Sequence, residues 1–76
     1  MNTKDLGANI TLLTTNHGDE VLFAGSKALA GFSPLVGYYT TKEECTEEES
    51  TQIKKYLKDV RQPIRLTEEQ MEQLFL

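Results

Sequence analysis

Residues 10–24 read ITLLTTNHGDEVLFA and predict a β-hairpin. Two apolar and β-branched runs, residues 10–15 and 20–24, flank residues 16–19, which are rich in turn formers. A loop of about four residues joins the two strands. We expect Ile10 and Leu12 to face the core with the apolar residues at positions 21 and 23. Leu13 and Leu22 then lie on the opposite face of the hairpin. This second apolar face predicts that a helix or a partner chain covers it.

The next segments carry weaker patterns. Residues 25–31, with Ser26 as a cap and Gly31 as a stop, predict a short turn or one turn of helix. Residues 35–40 predict a third strand, and Pro34 stands at its entry, where a missing amide donor does least harm.

The clearest helix begins at Thr41 or Thr46. Each threonine is followed three residues later by a glutamate, as in a capping box. The helical spacing of the apolar residues that follow predicts a helix that ends near Arg61, before Pro63. Those apolar residues are Ile53, Tyr56, Leu57 and Val60.

A second capping box, Thr67 with Gln70, predicts a short C-terminal helix after an extended link or edge strand at residues 64–66. Met71, Leu74 and Phe75 share one face of this helix, which is too short to be stable alone and must dock onto something. The predicted fold is α+β: a single domain over residues 1–76. In it, the hairpin and third strand form a mostly antiparallel sheet that packs against the main helix and the short C-terminal helix.

The charges argue against a general nucleic-acid binder. Lysine and arginine number 8 against 12 aspartates and glutamates, for a net charge of −4, whereas nucleic-acid binding relies on an excess of bases. Acids gather in residues 43–49 and bases in residues 53–65. One helix prefers this order, because acids suit its N-terminal end and bases its C-terminal end.

Localisation is predicted to be cytoplasmic. No apolar segment follows the charges of residues 1–6, so no secretory signal is expected. A single cysteine, Cys45, cannot form an internal disulfide. The longest apolar runs fall far short of the roughly 20 residues that a membrane helix requires.

No cofactor, metal or catalytic set is expected, and the chain is predicted not to be an enzyme. Residues 24–27 hold the glycine, serine and lysine of a phosphate loop in the wrong order. His17 and Cys45 are the sole soft metal ligands, while a zinc site usually takes four, or three with water. Thiol chemistry at Cys45, with His17 as its base, is a third-ranked hypothesis.

The leading functional hypothesis is a small cytoplasmic modulator or accessory protein that binds another protein or forms a homodimer. Many small modulators, including ones that bacteriophages encode, have this size and charge. Adjacent tyrosines in a strand face opposite ways, so one of Tyr38 and Tyr39 is expected at the surface, where tyrosine favours interfaces. The candidate interface residues are Tyr38, Tyr39, Met71, Leu74 and Phe75.

Two alternatives use the charged segments. A basic helix stripe could contact a phosphate backbone through Lys54, Lys58, Arg61 and Arg65. Alternatively, the glutamates of residues 43–49 could imitate phosphates and inhibit a nucleic-acid-binding protein.

Overall fold

The computed structural model describes residues 2–41 and 44–75, and for Glu68, Leu74 and Phe75 it describes the backbone alone. The elements in chain order are β1 (Asn2–Gly7), β2 (Ile10–Thr14), β3 (Glu20–Ala24), β4 (Lys27–Ser33), β5 (Gly37–Thr40), α1 (Glu47–Tyr56), β6 (Ile64–Arg65) and α2 (Glu68–Phe75). The strands form one sheet in the order β1-β2-β3-β4-β5-β6. Its pairs are antiparallel except β5 with β6. The α+β class is confirmed, with six strands in the described residues where three were predicted.

The β2–β3 hairpin is confirmed, but its loop is one residue longer than predicted. Thr14 pairs with Glu20, which leaves residues 15–19 in the loop. Thr15 closes this loop: its N–H donates to the Asp19 carbonyl (2.9 Å), and its Oγ1 accepts from the Asp19 N–H (3.1 Å). The side chain of Thr15 therefore acts as part of the turn rather than of the strand.

This extra loop residue shifts the pairing of β3 with β2 by one residue from the predicted register. Leu12 pairs with Leu22, so the two leucines share one face, and Val21 lies on the other face with Phe23. The expectation that Ile10 and Leu12 face the core with Val21 and Phe23 is therefore wrong. A shift of one residue moves every side chain of a strand to the opposite face.

Residues 27–33 form β4, so the short turn or helix predicted for residues 25–31 is wrong. Ala24 pairs with Lys27 across a two-residue turn. Gly25 takes the first turn position with a φ of +63°, where two-residue hairpins place glycine. The alanines and leucine of this segment are compatible with helix, but the tight turn returns the chain antiparallel to β3.

β1 is absent from the sequence prediction because most of its side chains are polar and exposed. A two-residue turn, Ala8-Asn9, joins it to β2, with φ values of 52° and 62°. The Asn9 carbonyl accepts a hydrogen bond from the Gly25 N–H (3.0 Å). The β1–β2 and β3–β4 turns are thereby held together at one end of the sheet.

One face of the sheet is covered by α1. Ile10, Leu22 and Leu29 form a buried cluster, and Ile53 and Tyr56 of α1 pack against it. This contact supplies the apolar burial that a ten-residue helix needs to be stable.

The capping box at Thr46 is confirmed. Thr46 Oγ1 accepts from the Glu49 N–H (3.2 Å), and Glu49 Oε1 accepts from the Thr46 N–H (2.9 Å). Glu49 also pairs with Lys27 Nζ at 3.1 Å, which ties the start of α1 to β4. The helix ends at Tyr56, so the predicted end near Arg61 is too late.

Candidate interaction surface

An apolar turn joins β4 to β5. The Val36 N–H donates to the Ser33 carbonyl (3.2 Å), and the Leu35 N–H donates to Ser33 Oγ (3.2 Å). Pro34 takes the second turn position, which its fixed φ suits. Leu35 is 84% exposed and Val36 38% exposed. The strand predicted for residues 35–40 therefore begins only at Gly37, and its first two residues are presented to solvent.

The turn lies beside an open groove. The groove has a volume of ≈ 330 Å³ and is lined by Leu35, Val36, Leu66, Gln70 and Gln73. We call it the turn groove. Leu35 and Val36 enter it from the β4–β5 turn, and the two glutamines enter it from α2. Sequence reasoning missed this site, because Leu35 and Val36 read as the first residues of a strand.

Two local contacts set the point at which α2 begins after β6. The Leu66 N–H donates to the Thr40 carbonyl (2.9 Å), which continues the β5–β6 pairing up to the start of the helix. The capping box at Thr67 is confirmed, since the Gln70 N–H donates to Thr67 Oγ1 (3.2 Å) and Gln70 Oε1 accepts from the Thr67 N–H (2.9 Å). Gln70 therefore has two roles: it completes the capping box at the start of α2, and it lines the turn groove.

The two adjacent tyrosines face opposite sides of the sheet. Tyr38 is 37% exposed, and its ring centroid lies 4.8 Å from that of Phe32 and 5.8 Å from that of Tyr56. Tyr39 is fully buried, with 0% exposure. Its assignment to the interface is therefore corrected, because a partner could reach it only if the sheet opened.

The predicted interface on α2 is described only in part. Met71 is half-buried. The side chains of Leu74 and Phe75 lie outside the described residues, so their role in an interface stays a prediction.

Tyr56 forms the long-range polar contact of α1 with β3. Its hydroxyl donates to Glu20 Oε1 at 2.8 Å. Burial, followed by this hydrogen bond, raises the pKa of Tyr56 above its usual value. A phenol whose proton is held this firmly is a poor acid near neutral pH. The pair therefore joins the helix to the sheet.

The proposed basic stripe is interrupted. The side chains of Lys54, Lys58, Arg61 and Arg65 are all exposed. Lys54 belongs to α1, but Lys58 and Arg61 lie beyond its end at Tyr56. A single helical stripe through all these bases is therefore wrong, although each base remains accessible.

The other predicted groups are spread over the surface. His17 and Cys45 are both exposed. Glu47, Glu48 and Glu49 form the first turn of α1, as the capping interpretation predicts, whereas Glu43 lies outside the described residues. Within the described part of the chain, no three histidine, cysteine or acidic side chains are placed to hold one metal ion.

Comparisons with protein-family models, with curated proteins and with solved structures found no significant match to this chain. Neither α1 nor α2, the helices within residues 2–41 and 44–75, is long and apolar enough to cross a membrane.

Proposed function

We propose that this chain is a non-enzymatic, cytoplasmic protein that works by binding another protein, and that the turn groove is its contact surface. The observation that carries this proposal is the exposure of Leu35, at 84%, beside an open apolar groove. Exposed apolar residues scattered singly are ordinary, but a contiguous patch at a groove is typical of a binding site.

The turn does not need leucine at this position. Its hydrogen bonds come from backbone groups and from Ser33 Oγ, and turns usually carry glycine, asparagine, aspartate or serine. A polar residue at position 35 would make the same turn and would be better solvated. The turn therefore does not require leucine at position 35, which supports a role for Leu35 in binding.

The exposed large apolar residues of the described chain lie on neighbouring segments of the sheet. They are Leu35, Val36, Tyr38 and Ile64. Each lies in the β4–β5 turn, on β5, or on β6, which pairs with β5. Tyrosine is among the residue types that contribute most to protein interfaces.

Replacing Leu35 tests this proposal. Wild type, Leu35→Asp and Lys4→Asp would each be immobilised and exposed to extracts of the source cell. Lys4 is exposed on β1, at the opposite edge of the sheet. A protein retained by wild type and Lys4→Asp would then be purified, and its Kd measured for all three chains.

We expect Leu35→Asp to weaken binding at least about tenfold, because a charge replaces an apolar side chain that the partner would bury in the complex. The Kd of Lys4→Asp should stay near that of wild type. Equal affinity for Leu35→Asp and wild type would overturn the proposal, and so would the absence of any retained protein. Each variant's circular dichroism spectrum and Tm would establish that it is folded.

A further inference from the structure

We infer that the turn groove accepts an apolar side chain from a partner segment in which that side chain is flanked by lysine or arginine. This inference rests on the proposed function and adds the chemistry of the partner. It is carried by the shape of the groove and by the charges beside it.

The size and openness of the groove favour a side chain over a whole small molecule. Its ≈ 330 Å³ lies at the lower end of the range of ligand pockets, and it is open to solvent. Leu35, Val36 and Leu66 supply apolar contacts, and the two glutamine amides supply neutral polar ones. Such a lining suits one anchor residue of a peptide segment.

The charged side chains described on α2, which lines one wall of the groove, are negative. α2 carries the exposed acids Glu69 and Glu72 and no lysine or arginine. Glu69 is exposed and lies one helical turn before Gln73, a lining residue, so the two side chains are neighbours. Arg65, on β6, is the one base within residues 64–75. The acidic excess therefore favours basic residues beside the inserted side chain.

The same charges disfavour a second copy of this chain as the occupant. A two-fold dimer built on the turn groove would bring α2 of one protomer close to α2 of its partner. Like charges would then face each other across the interface, at an energetic cost. The acidic side chains of α2 would attract a basic partner, whereas they would repel a second copy of this chain.

Short synthetic peptides test the inference. One peptide carries a central leucine flanked by arginines, a second has glutamates in place of the arginines, and a third has a central serine between arginines. Titration calorimetry would give Kd for wild type, for Leu35→Ser, for Glu69→Gln/Glu72→Gln, and for Glu47→Gln/Glu48→Gln. The last variant is a matched control, because Glu47 and Glu48 are exposed acids of α1.

Wild type is expected to bind the arginine–leucine peptide about threefold to tenfold more tightly than either other peptide, and less tightly as salt rises. The α2 double variant should lose most of this preference, and the α1 double variant should keep it. Equal binding of the arginine-flanked and glutamate-flanked peptides would overturn the inference, as would equal effects of the two double variants.

The outcomes separate this inference from the proposed function. If leucine peptides bind regardless of their flanking charge and Leu35→Ser abolishes binding, the groove binds proteins but the basic flank is wrong. If no peptide binds, or if light scattering finds a dimer that Leu35→Ser dissociates, the inferred partner is wrong. The retention experiment above then decides the proposed function by itself.

Discussion

The ring of Tyr39 lies directly against Gly31, its cross-strand partner on β4. A Cβ atom at position 31 would stand 2.5 Å from the Tyr39 hydroxyl oxygen and 2.7 Å from Tyr39 Cζ, and it would also meet the Glu20 carbonyl oxygen. Glycine is thus required by the close approach of an aromatic ring and a backbone group. The ring in turn covers the strand where glycine has no side chain.

Gly31→Ala is expected to lower the free energy of unfolding by about 2–3 kcal/mol, because the added methyl group overpacks a site that is already filled. Urea denaturation would measure the loss. Combining Gly31→Ala with Tyr39→Leu should cost less than the sum of the single changes, since the smaller side chain frees part of the space. Strict additivity would show that the ring does not restrict position 31.

Tyr39→Phe and Tyr56→Phe form a matched pair with opposite expected effects. The Tyr39 hydroxyl is buried and has no hydrogen-bond partner among the described residues, so its removal should raise the free energy of unfolding by about 1 kcal/mol. The Tyr56 hydroxyl donates to Glu20, so its removal should lower the free energy by about 1 kcal/mol. Denaturant melts that place both variants on the same side of wild type would contradict this assignment.

Stability is expected to fall above pH 10. Burial, with a smaller effect of Asp19, raises the pKa of Tyr39 from 10.0 to about 12. An unfolded tyrosine ionises near pH 10 while the folded one stays neutral. The stabilisation that comes from the raised pKa of Tyr39 is therefore fully present below pH 10. As the pH rises from 10 towards 12, the free energy of unfolding falls by at most about 1.4 kcal/mol per pH unit. Tyr39→Phe should show a shallower decline in Tm between pH 10 and 12, and an unchanged decline would contradict the prediction.

The β1–β2 turn is expected to respond to substitution at Ala8. Ala8 has a φ of 52°, a left-handed conformation that asparagine tolerates better than alanine and that β-branched residues resist. Ala8→Asn should raise the free energy of unfolding by about 0.5 kcal/mol, and Ala8→Val should lower it by about 1 kcal/mol. Chemical denaturation of both variants measures the difference, and the reverse order would exclude this turn geometry.

The features predicted correctly from the sequence are those completed within a few residues. The capping boxes at Thr46 and Thr67 each need only a side chain and a backbone N–H three residues apart. Register and strand number depend on longer-range pairing. The single residue Thr15 shifted the register of β3, and the Gly25-Ser26 turn converted a segment with helix-forming residues into β4.

The candidate site was harder to predict, because exposure is decided by tertiary structure. Alternation predicted that one of Tyr38 and Tyr39 faces outward, but only the packing of the sheet decides which one. Leu35 reads as a strand residue by composition. Pro34 and Gly37 on either side were the available signals that it belongs to a turn.

Chemical-shift mapping tests the central claim most directly. Isotope-labelled wild type would be titrated with the arginine-flanked leucine peptide while its amide resonances are followed. We predict that the largest shifts cluster at Leu35, Val36, Leu66, Gln70 and Gln73, the residues of the turn groove. Shifts centred on Lys54, Lys58 and Arg61 would contradict the claim that the turn groove binds this peptide, and so would the absence of shifts at the highest peptide concentration.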